Sequence, residues 1–338
     1  MTGIPYLSFL YYALISVSFS LISRRSKRLV RTTKTSLAGF IIKFNKNMTQ
    51  VQFVLSNKEE VRSWFFKIEE KESSGGQVME MRYTRCVCSS RCQFFFSFKD
   101  DVIHSYHSAN DIQQSVKLGV EYLRDLFAKP ILEVFLFPDD IPYPFYIGFK
   151  ECNNLYMKGE KPMRNEDLKN VLENVLIKSV CLLQLPINAD FKCNNNALKF
   201  NEFSSLAKEA HWITREVFLS LKCSRIHLQH TLLEAHDFMA FFERWYYSND
   251  KNFEVMILRT DKTFNGLRLD GFHPIPWDTQ LRGQHFLYLP ELAFDCSEGT
   301  NIMREDGVLC TVHFRETVVF FCVWHNRFPD ISGATIFI

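Results

Sequence analysis

The 338-residue sequence predicts an α+β fold, in which an antiparallel β region precedes repeating strand–helix units and a closing β-hairpin. Three observations lead to this prediction. Apolar residues alternate along parts of residues 37–104, which is typical of half-buried strands. From about residue 105 helical and strand patterns take turns. Near the C-terminus, Asp306-Gly307 stands before two apolar runs and is a strong hairpin signal.

The front β region begins with a predicted hairpin. Apolar residues alternate along 40–44 and again along 51–55, and the turn-prone segment Asn45-Lys46-Asn47 lies between them. Further β stretches are predicted over residues 77–88 and 93–98, after a Ser-Ser-Gly-Gly break. This part of the chain is therefore expected to form an antiparallel sheet.

The second part alternates helices with short apolar strands. Helical spacing marks 112–127, where Asn110 is available as a cap, and also 165–177, 213–221 and 234–247. Strands are predicted to start near residues 179, 203, 225 and 253, at intervals of 24, 22 and 28 residues. This approximate period favours a leucine-rich-repeat-like α/β solenoid. No unit carries a full L-x-x-L-x-L-x-x-N signature, and an ordinary parallel α/β sheet stays open as the alternative.

Composition indicates a globular chain that gives no general electrostatic reason to bind nucleic acid. The net charge is +2, from 40 basic and 38 acidic side chains. The 33 phenylalanines are predicted to fill strands and the core faces of helices. Ten cysteines are spread too thinly for a disulfide scaffold, and several lie in apolar runs. Reduced thiols, and hence a cytoplasmic or nuclear location, are expected.

No constellation of residues for catalysis is evident. The chain lacks dinucleotide-binding, phosphate-binding, zinc-protease and nucleophile-elbow motifs. His227 and His230 lie three positions apart on a predicted strand, so they point to opposite faces and do not readily share a ligand. Cys86, Cys88 and Cys92 have a spacing that matches none of the common structural zinc sites. The sequence therefore predicts a protein that is not an enzyme, with no catalytic, cofactor-binding or metal-binding residues.

The N-terminal segment is unusual in its charge pattern. Residues 4–23 contain no charge, and a block of six cations follows within residues 24–34. Twenty uncharged residues are long enough for a single membrane span, and the basic block would hold its C-terminal side in the cytoplasm. Five serines and three tyrosines within the segment argue against a span. A membrane anchor at 4–23 is kept as an alternative.

Several stretches resemble the nematode F-box proteins that carry an F-box associated domain of type 2. The segment 202–245 has that domain's strand, its W-I-T helix start, an L-x-L-x-C-x-x-I segment and a helix that ends in K/R-W. The C-terminal R-x-D-G turn resembles the family's closing hairpin. The matching residues are Trp212, Ile213, Thr214, Leu221, Cys223, Ile226, Trp245, Asp306 and Gly307.

The N-terminus resembles the later part of an F-box over residues 19–30. The family's opening L-P stretch corresponds to Ile4-Pro5, which lies several residues too close, and every charge before Arg24 is missing. The F-box is therefore shortened or diverged. The resemblance implies three segments: a helical F-box remnant at 1–36, the antiparallel β region at 37–104, and the type 2 domain with its solenoid-like repeats and C-terminal hairpin at 105–338.

The resemblance implies a substrate-recognition adaptor of a Skp–cullin–F-box E3 ubiquitin ligase. Its partners would be a Skp-type adaptor, the cullin complex and an unknown protein target, with no nucleic acid and no cofactor. The residues expected to contact the Skp adaptor are Pro5, Leu7, Leu14, Leu21, Ile22, Arg25 and Leu29. Two alternatives stay open: the membrane-anchored protein, and a diverged interaction module without ligase association.

Overall fold

The computed structural model describes residues 16–17, 19–20, 23–33, 35–45, 48–56, 60–68, 80–81, 93–97, 102–107, 112–140, 147–207, 210–264 and 267–337. Their contacts divide the chain into two compact units, Met1–Lys178 and Ser179–Ile338. The predicted division at residues 36 and 104 rests on sequence patterns and stays a prediction.

The first unit consists of one sheet with helices. Its helices are α1 (Arg24–Thr32), α2 (Ile112–Phe127) and α3 (Asn165–Asn174). Its strands are β1 (Leu37–Asn45), β2 (Met48–Leu55), β3 (Glu60–Ile68), β4 (Glu80–Met81), β5 (Gln93–Ser97), β6 (Val102–His107), β7 (Ile131–Leu136) and β8 (Glu151–Lys158). Their order across the sheet is β8-β7-β1-β2-β3-β6-β5-β4.

The predicted front hairpin is confirmed. Strands β1 and β2 pair antiparallel, with Phe40 opposite Phe53 and Ile42 opposite Val51, so the alternating apolar side chains share one buried face. The expectation of an antiparallel sheet holds for β2–β3, β4–β5 and β5–β6, but β3–β6 is parallel. Most of the predicted stretch 77–88 lies outside the described residues.

Helix α2 packs closely on this sheet at Gly119. Gly119 faces the ring of Phe66, and a Cβ atom at position 119 would overlap that ring. Phe66 is itself stacked on Trp64, with ring centroids 4.7 Å apart. Only glycine lets the helix backbone come this near to the buried aromatic pair.

The second unit contains a mixed sheet and a small second sheet. Its helices are α4 (Arg215–Ser220) and α5 (Ala235–Tyr246). Strand β9 (Leu176–Gln184) crosses the boundary in sequence, and the further strands are β10 (Glu202–Ser205), β11 (Arg225–Thr231), β12 (Val255–Thr260), β13 (His285–Leu289), β14 (Leu292–Asp295), β15 (Thr300–Met303), β16 (Leu309–Arg315), β17 (Val318–Val323) and β18 (Thr335–Phe337).

The two sheets of this unit have different topologies. In the larger one the order is β15-β16-β17-β12-β11-β10-β9. Strands β9 to β12 are parallel, whereas β12, β17, β16 and β15 pair antiparallel in turn. The smaller sheet has the order β13-β14-β18. The chain is thus a mixed α/β protein, as the alternation of helical and strand patterns predicts.

The segment that was predicted to form the C-terminal hairpin turn does form a turn. Asp306-Gly307 joins β15 to β16, and Gly307 adopts a φ of +82°, which favours glycine. Helices α4 and α5 follow β10 and β11, but the link between β9 and β10 has only a short 3₁₀ turn, Asn195–Ala197. The strand–helix alternation is therefore partial.

An aromatic cluster fills the core of the second unit. Helix α5 contributes Phe238, Phe242 and Trp245, whose rings lie within 6.3 Å of the ring of Phe321 on β17. All four side chains are buried. The helical spacing of the α5 aromatic residues thus places them on the one face that meets the sheet.

Candidate functional site

Helix α1 carries the two predicted adaptor contacts that the structure describes. It follows Ser23, whose Oγ accepts a hydrogen bond from the Ser26 backbone N–H at 3.0 Å and so caps the helix. Arg25 and Leu29 are one helical turn apart, and both are exposed. The other predicted contacts, Pro5, Leu7, Leu14, Leu21 and Ile22, lie outside the described residues.

The inner face of α1 is anchored on α2. Val30 is buried, and the Lys27 ammonium lies 2.6 Å from the Asp125 carboxylate and 4.3 Å from the centre of the Tyr122 ring. Arg31 also pairs with Asp125. The hydrogen bonds from Arg31 and Lys27 hold the pKa of Asp125 below its usual value. Such partly exposed pairs orient a helix more than they stabilise it.

A hydrogen bond supports this anchor from the segment before α1. The Ser20 and Tyr122 hydroxyl oxygens are 2.7 Å apart, and Ser20 is buried. Burial raises the pKa of Tyr122. The hydroxyl therefore stays protonated and keeps its capacity to donate.

The outer face of α1 remains open. Arg25, Arg28, Leu29 and Thr32 follow the i, i+3, i+4, i+7 spacing of one helix face, and all are exposed. Leu29 is 53% exposed, and Phe19 nearby in sequence is 42% exposed. This arrangement is suited to docking, because a large apolar side chain lies beside arginines on a helix whose opposite side is anchored on α2. We refer to Arg25, Arg28, Leu29 and Thr32 as the outer face.

The predicted membrane span falls mostly on residues that the structure does not describe. Among the described residues, no helix combines the length and the apolar character needed to cross a bilayer.

The W-I-T motif forms the start of α4. Trp212 and Ile213 are buried, and the Trp212 ring meets the ring of Phe203 edge-on at 6.2 Å. Thr214 caps the helix, because its Oγ1 accepts a hydrogen bond from the Val217 N–H at 3.3 Å. These residues therefore have a structural role in fixing where the helix begins.

The residues of the L-x-L-x-C-x-x-I segment also have a structural role. Leu221, at the end of α4, and Ile226, in β11, are both buried. Burial raises the pKa of the Cys223 thiol to about 12, so the thiol stays protonated at neutral pH. A protonated, buried thiol is a poor nucleophile.

The end of α5 and the R-x-D-G turn lock together through a buried guanidinium. Arg304 donates to the backbone oxygens of Trp245 and Asp250 at 3.2 and 2.9 Å, and its charge lies 4.9 Å from the centre of the Trp245 ring. Both oxygens of Asp306 accept from Arg304, at 3.0 and 2.5 Å. This contact lowers the pKa of Asp306 to about 2.

We expect this contact to appear in the pH dependence of stability. A carboxylate whose folded pKa is depressed stabilises the fold fully above its unfolded pKa of about 4, and this contribution disappears as the pH falls through the folded value. Between pH values of about 5 and about 2, the free energy of unfolding should fall more steeply in the wild type than in Asp306→Asn. Urea unfolding across this range measures the difference. The substitution Glu305→Gln, at the neighbouring exposed carboxylate, is the control and should follow the wild type.

The histidines near β11 have different partners. His227 is partly buried, with its Nε2 3.1 Å from Nε2 of Gln229, and burial together with the charge of Arg259 lowers its pKa to about 4. His230 has a φ of +52°, and its Nδ1 is 3.3 Å from Asp261, whose other oxygen is 3.4 Å from Nε2 of His211. The exposed Asp261 thus joins two imidazoles at the carboxyl ends of β11 and β12.

Sequence reasoning did not find this histidine–aspartate group. The signal that could have revealed this group is the order of the strands in the sheet. Adjacent parallel strands end at the same edge of a sheet, where binding residues often collect. In the described part of the chain, no three or more His, Cys, Asp or Glu side chains are arranged to hold a metal ion. Cys86, Cys88 and Cys92 lie outside that part.

Comparison with known proteins finds a distant relative but shows no family. No family model matches the chain, and no solved structure matches it. An uncharacterized protein of Caenorhabditis elegans, F59B2.9, is 23% identical over 329 residues, which cover 92% of this chain and 74% of that protein. The similarity extends over nearly all of the sequence but does not assign a function.

Proposed function

We propose that the protein is a substrate-recognition adaptor of a Skp–cullin–F-box ubiquitin ligase in the cytoplasm or nucleus. The observation that carries the proposal is the outer face of α1. It exposes Leu29 beside Arg25 and Arg28, while the inner face carries the buried Val30 and two ion pairs to Asp125 on α2. A helix that is fixed on one side and exposes a large apolar side chain on the other can dock on a second protein without unfolding.

The proposed role of the second unit is target recruitment. We take β9 to β12 and the helices that follow β10 and β11 as a leucine-rich-repeat-like solenoid, a class of fold that offers extended contact surfaces. Near the carboxyl ends of β11 and β12 lie polar groups that solvent reaches, namely the partly exposed His230 in β11 and the exposed Asp261 just after β12. Loops at the end of a rigid sheet are suitable for recognition of a partner. This role requires no catalytic residue, because the ligase complex supplies the chemistry.

Affinity capture of a co-expressed Skp-type adaptor tests the proposal. The full wild-type chain should retain the adaptor, and Leu29→Asp should abolish retention, because a carboxylate would replace the apolar centre of the contact. Leu232→Asp is the matched control. Leu232 is 49% exposed and lies in the second unit, so this variant should bind as the wild type does.

Two results would contradict the proposal. Equal recovery of the adaptor with wild type and Leu29→Asp would remove α1 from the contact. A folded wild-type chain that retains no adaptor would favour the interaction module without a ligase. Extraction of cell membranes with alkaline carbonate tests the anchored alternative, since release into the supernatant would rule out a span at 4–23.

A further inference from the structure

The first turn of α1 carries charges of unfavourable sign for an isolated helix. Arg24, Arg25 and Lys27 lie in this turn, which has no acidic residue. The N-terminus of a helix has a partial positive charge, so cations there oppose the helix dipole. A departure from the usual preference for acidic residues in the first turn commonly marks a functional surface.

In the described part of the fold, carboxylate partners are found on the inner side of α1. Lys27 and Arg31 both pair with Asp125 on α2. Among the described residues, no carboxylate pairs with Arg24, Arg25 or Arg28, and all three are exposed. The uncompensated charge therefore lies on the side of α1 that faces away from α2.

We infer that the partner of this outer face is a protein surface with carboxylates around an apolar pocket that receives Leu29. This inference rests on the proposed function and names the chemistry of the adaptor contact. Acidic groups opposite Arg25 and Arg28 would supply the anions that the first turn lacks, and Leu29, one turn after Arg25, would enter the apolar pocket beside them. Specificity and association rate would then depend on ionic strength.

A membrane surface fits the same cations less well. A helix lying in a bilayer interface buries a broad apolar face. Val30 on the inner face of α1 is already buried, and Leu29 is the single large apolar residue on the outer face. Complementarity to carboxylates on a protein is therefore the better match.

The test uses the full chain and a double charge reversal, Arg25→Glu with Arg28→Glu. The reversed charges suit the helix dipole, and the carboxylate introduced at position 28 can pair with Arg24 one turn earlier, so the melting temperature should stay equal or rise. Affinity for the purified Skp-type adaptor should nevertheless fall at least about tenfold at about 50 mM NaCl. The wild type should lose affinity between about 50 and about 300 mM NaCl, and the variant should not. Lys192→Glu with Lys199→Glu reverses two exposed cations of the second unit and should bind as the wild type does.

A second probe separates this inference from the proposed function. Fluorescein-labelled polyglutamate should bind the wild type and the control variant, and should fail to bind the Arg25/Arg28 variant. If the adaptor does not bind but polyglutamate does, the ligase role fails and the acidic-partner inference stands. If adaptor binding is insensitive to salt and to charge reversal, the inference is overturned and the ligase role stands. Retention on phosphatidylserine vesicles that charge reversal abolishes, without polyglutamate binding, would also overturn the inference.

Discussion

Replacement of Arg282 by alanine is expected to lower the free energy of unfolding of the second unit by about 3–5 kcal/mol, the range for large-to-small changes in a core. Arg282 is fully buried. Its guanidinium donates to Oδ1 of Asn301 at 2.8 Å and to the backbone oxygens of Gly283 and Cys296, both at 2.7 Å. The group also lies 4.7 Å from the centre of the Trp324 ring.

The reason for this large effect is that one side chain satisfies several buried groups. Asn301 also accepts from Thr311 at 2.8 Å, and Thr311 accepts from the Trp324 indole N–H at 2.8 Å. Alanine would open a cavity beside Trp324 and remove three charge-assisted hydrogen bonds at once. Burial disfavours the charged form and lowers the pKa of Arg282, so the fold already bears a desolvation cost that these contacts offset.

Two further substitutions separate packing from hydrogen bonding. Arg282→Met fills most of the volume without any donor, so it should recover part of the loss but remain less stable than the wild type. Arg268→Met changes an exposed arginine of the same unit and should stay within about 0.5 kcal/mol of the wild type. Urea unfolding followed by tryptophan fluorescence measures all three variants. An Arg282→Met protein as stable as the wild type would show that the buried charge adds nothing net.

Features set by nearby residues were predictable from the sequence. Alternation along 40–44 and 51–55 predicts the hairpin of β1 and β2, and the spacing of apolar residues in 112–127 predicts α2, whereas the predicted cap Asn110 lies outside the described residues. The starts of β9 to β12 lie within three residues of the predicted positions. Each of these signals is a periodic pattern within one element, where burial of one face determines the pattern.

Features that depend on distant residues were not predictable. The parallel pairing of β3 with β6 and the meeting of His230 with Asp261 depend on how strands are ordered across the sheet, which no single pattern records. The environment of Arg282 depends on positions 14 and 19 residues away in sequence. A lone arginine in a polar stretch looks like a surface residue, because charged side chains are rarely buried.

The candidate docking surface falls between these two cases. The sequence places Arg25 and Leu29 in a basic segment, and their resemblance to part of an F-box predicts that they contact an adaptor. Which side of the helix is open depends on Asp125 and Tyr122 in α2, about a hundred residues further along the chain. The structure therefore adds the distinction between the cations paired with Asp125 and those that pair with no carboxylate among the described residues, on which the charge-reversal experiment depends.

Replacement of Phe321 by alanine is expected to destabilise the second unit by about 3–5 kcal/mol. Its buried ring touches the rings of Phe242, Trp245 and Phe253 at centroid distances of 5.4, 5.0 and 4.9 Å. Alanine would leave a cavity between α5 and the sheet that rigid aromatic neighbours cannot close.

The substitution Phe321→Leu keeps much of the volume and should lower the free energy of unfolding by less than Phe321→Ala does. Phe328→Ala, at a side chain 57% exposed, should change stability by no more than about 0.5 kcal/mol. Chemical unfolding of the three variants measures these differences, and equal losses at positions 321 and 328 would contradict the assignment of this cluster as the core. Trp245 also contacts Arg304 and so supports the R-x-D-G turn. When Phe321→Ala is already present, adding Asp306→Asn should therefore change the free energy of unfolding below a pH of about 5 by less than it does in the wild type.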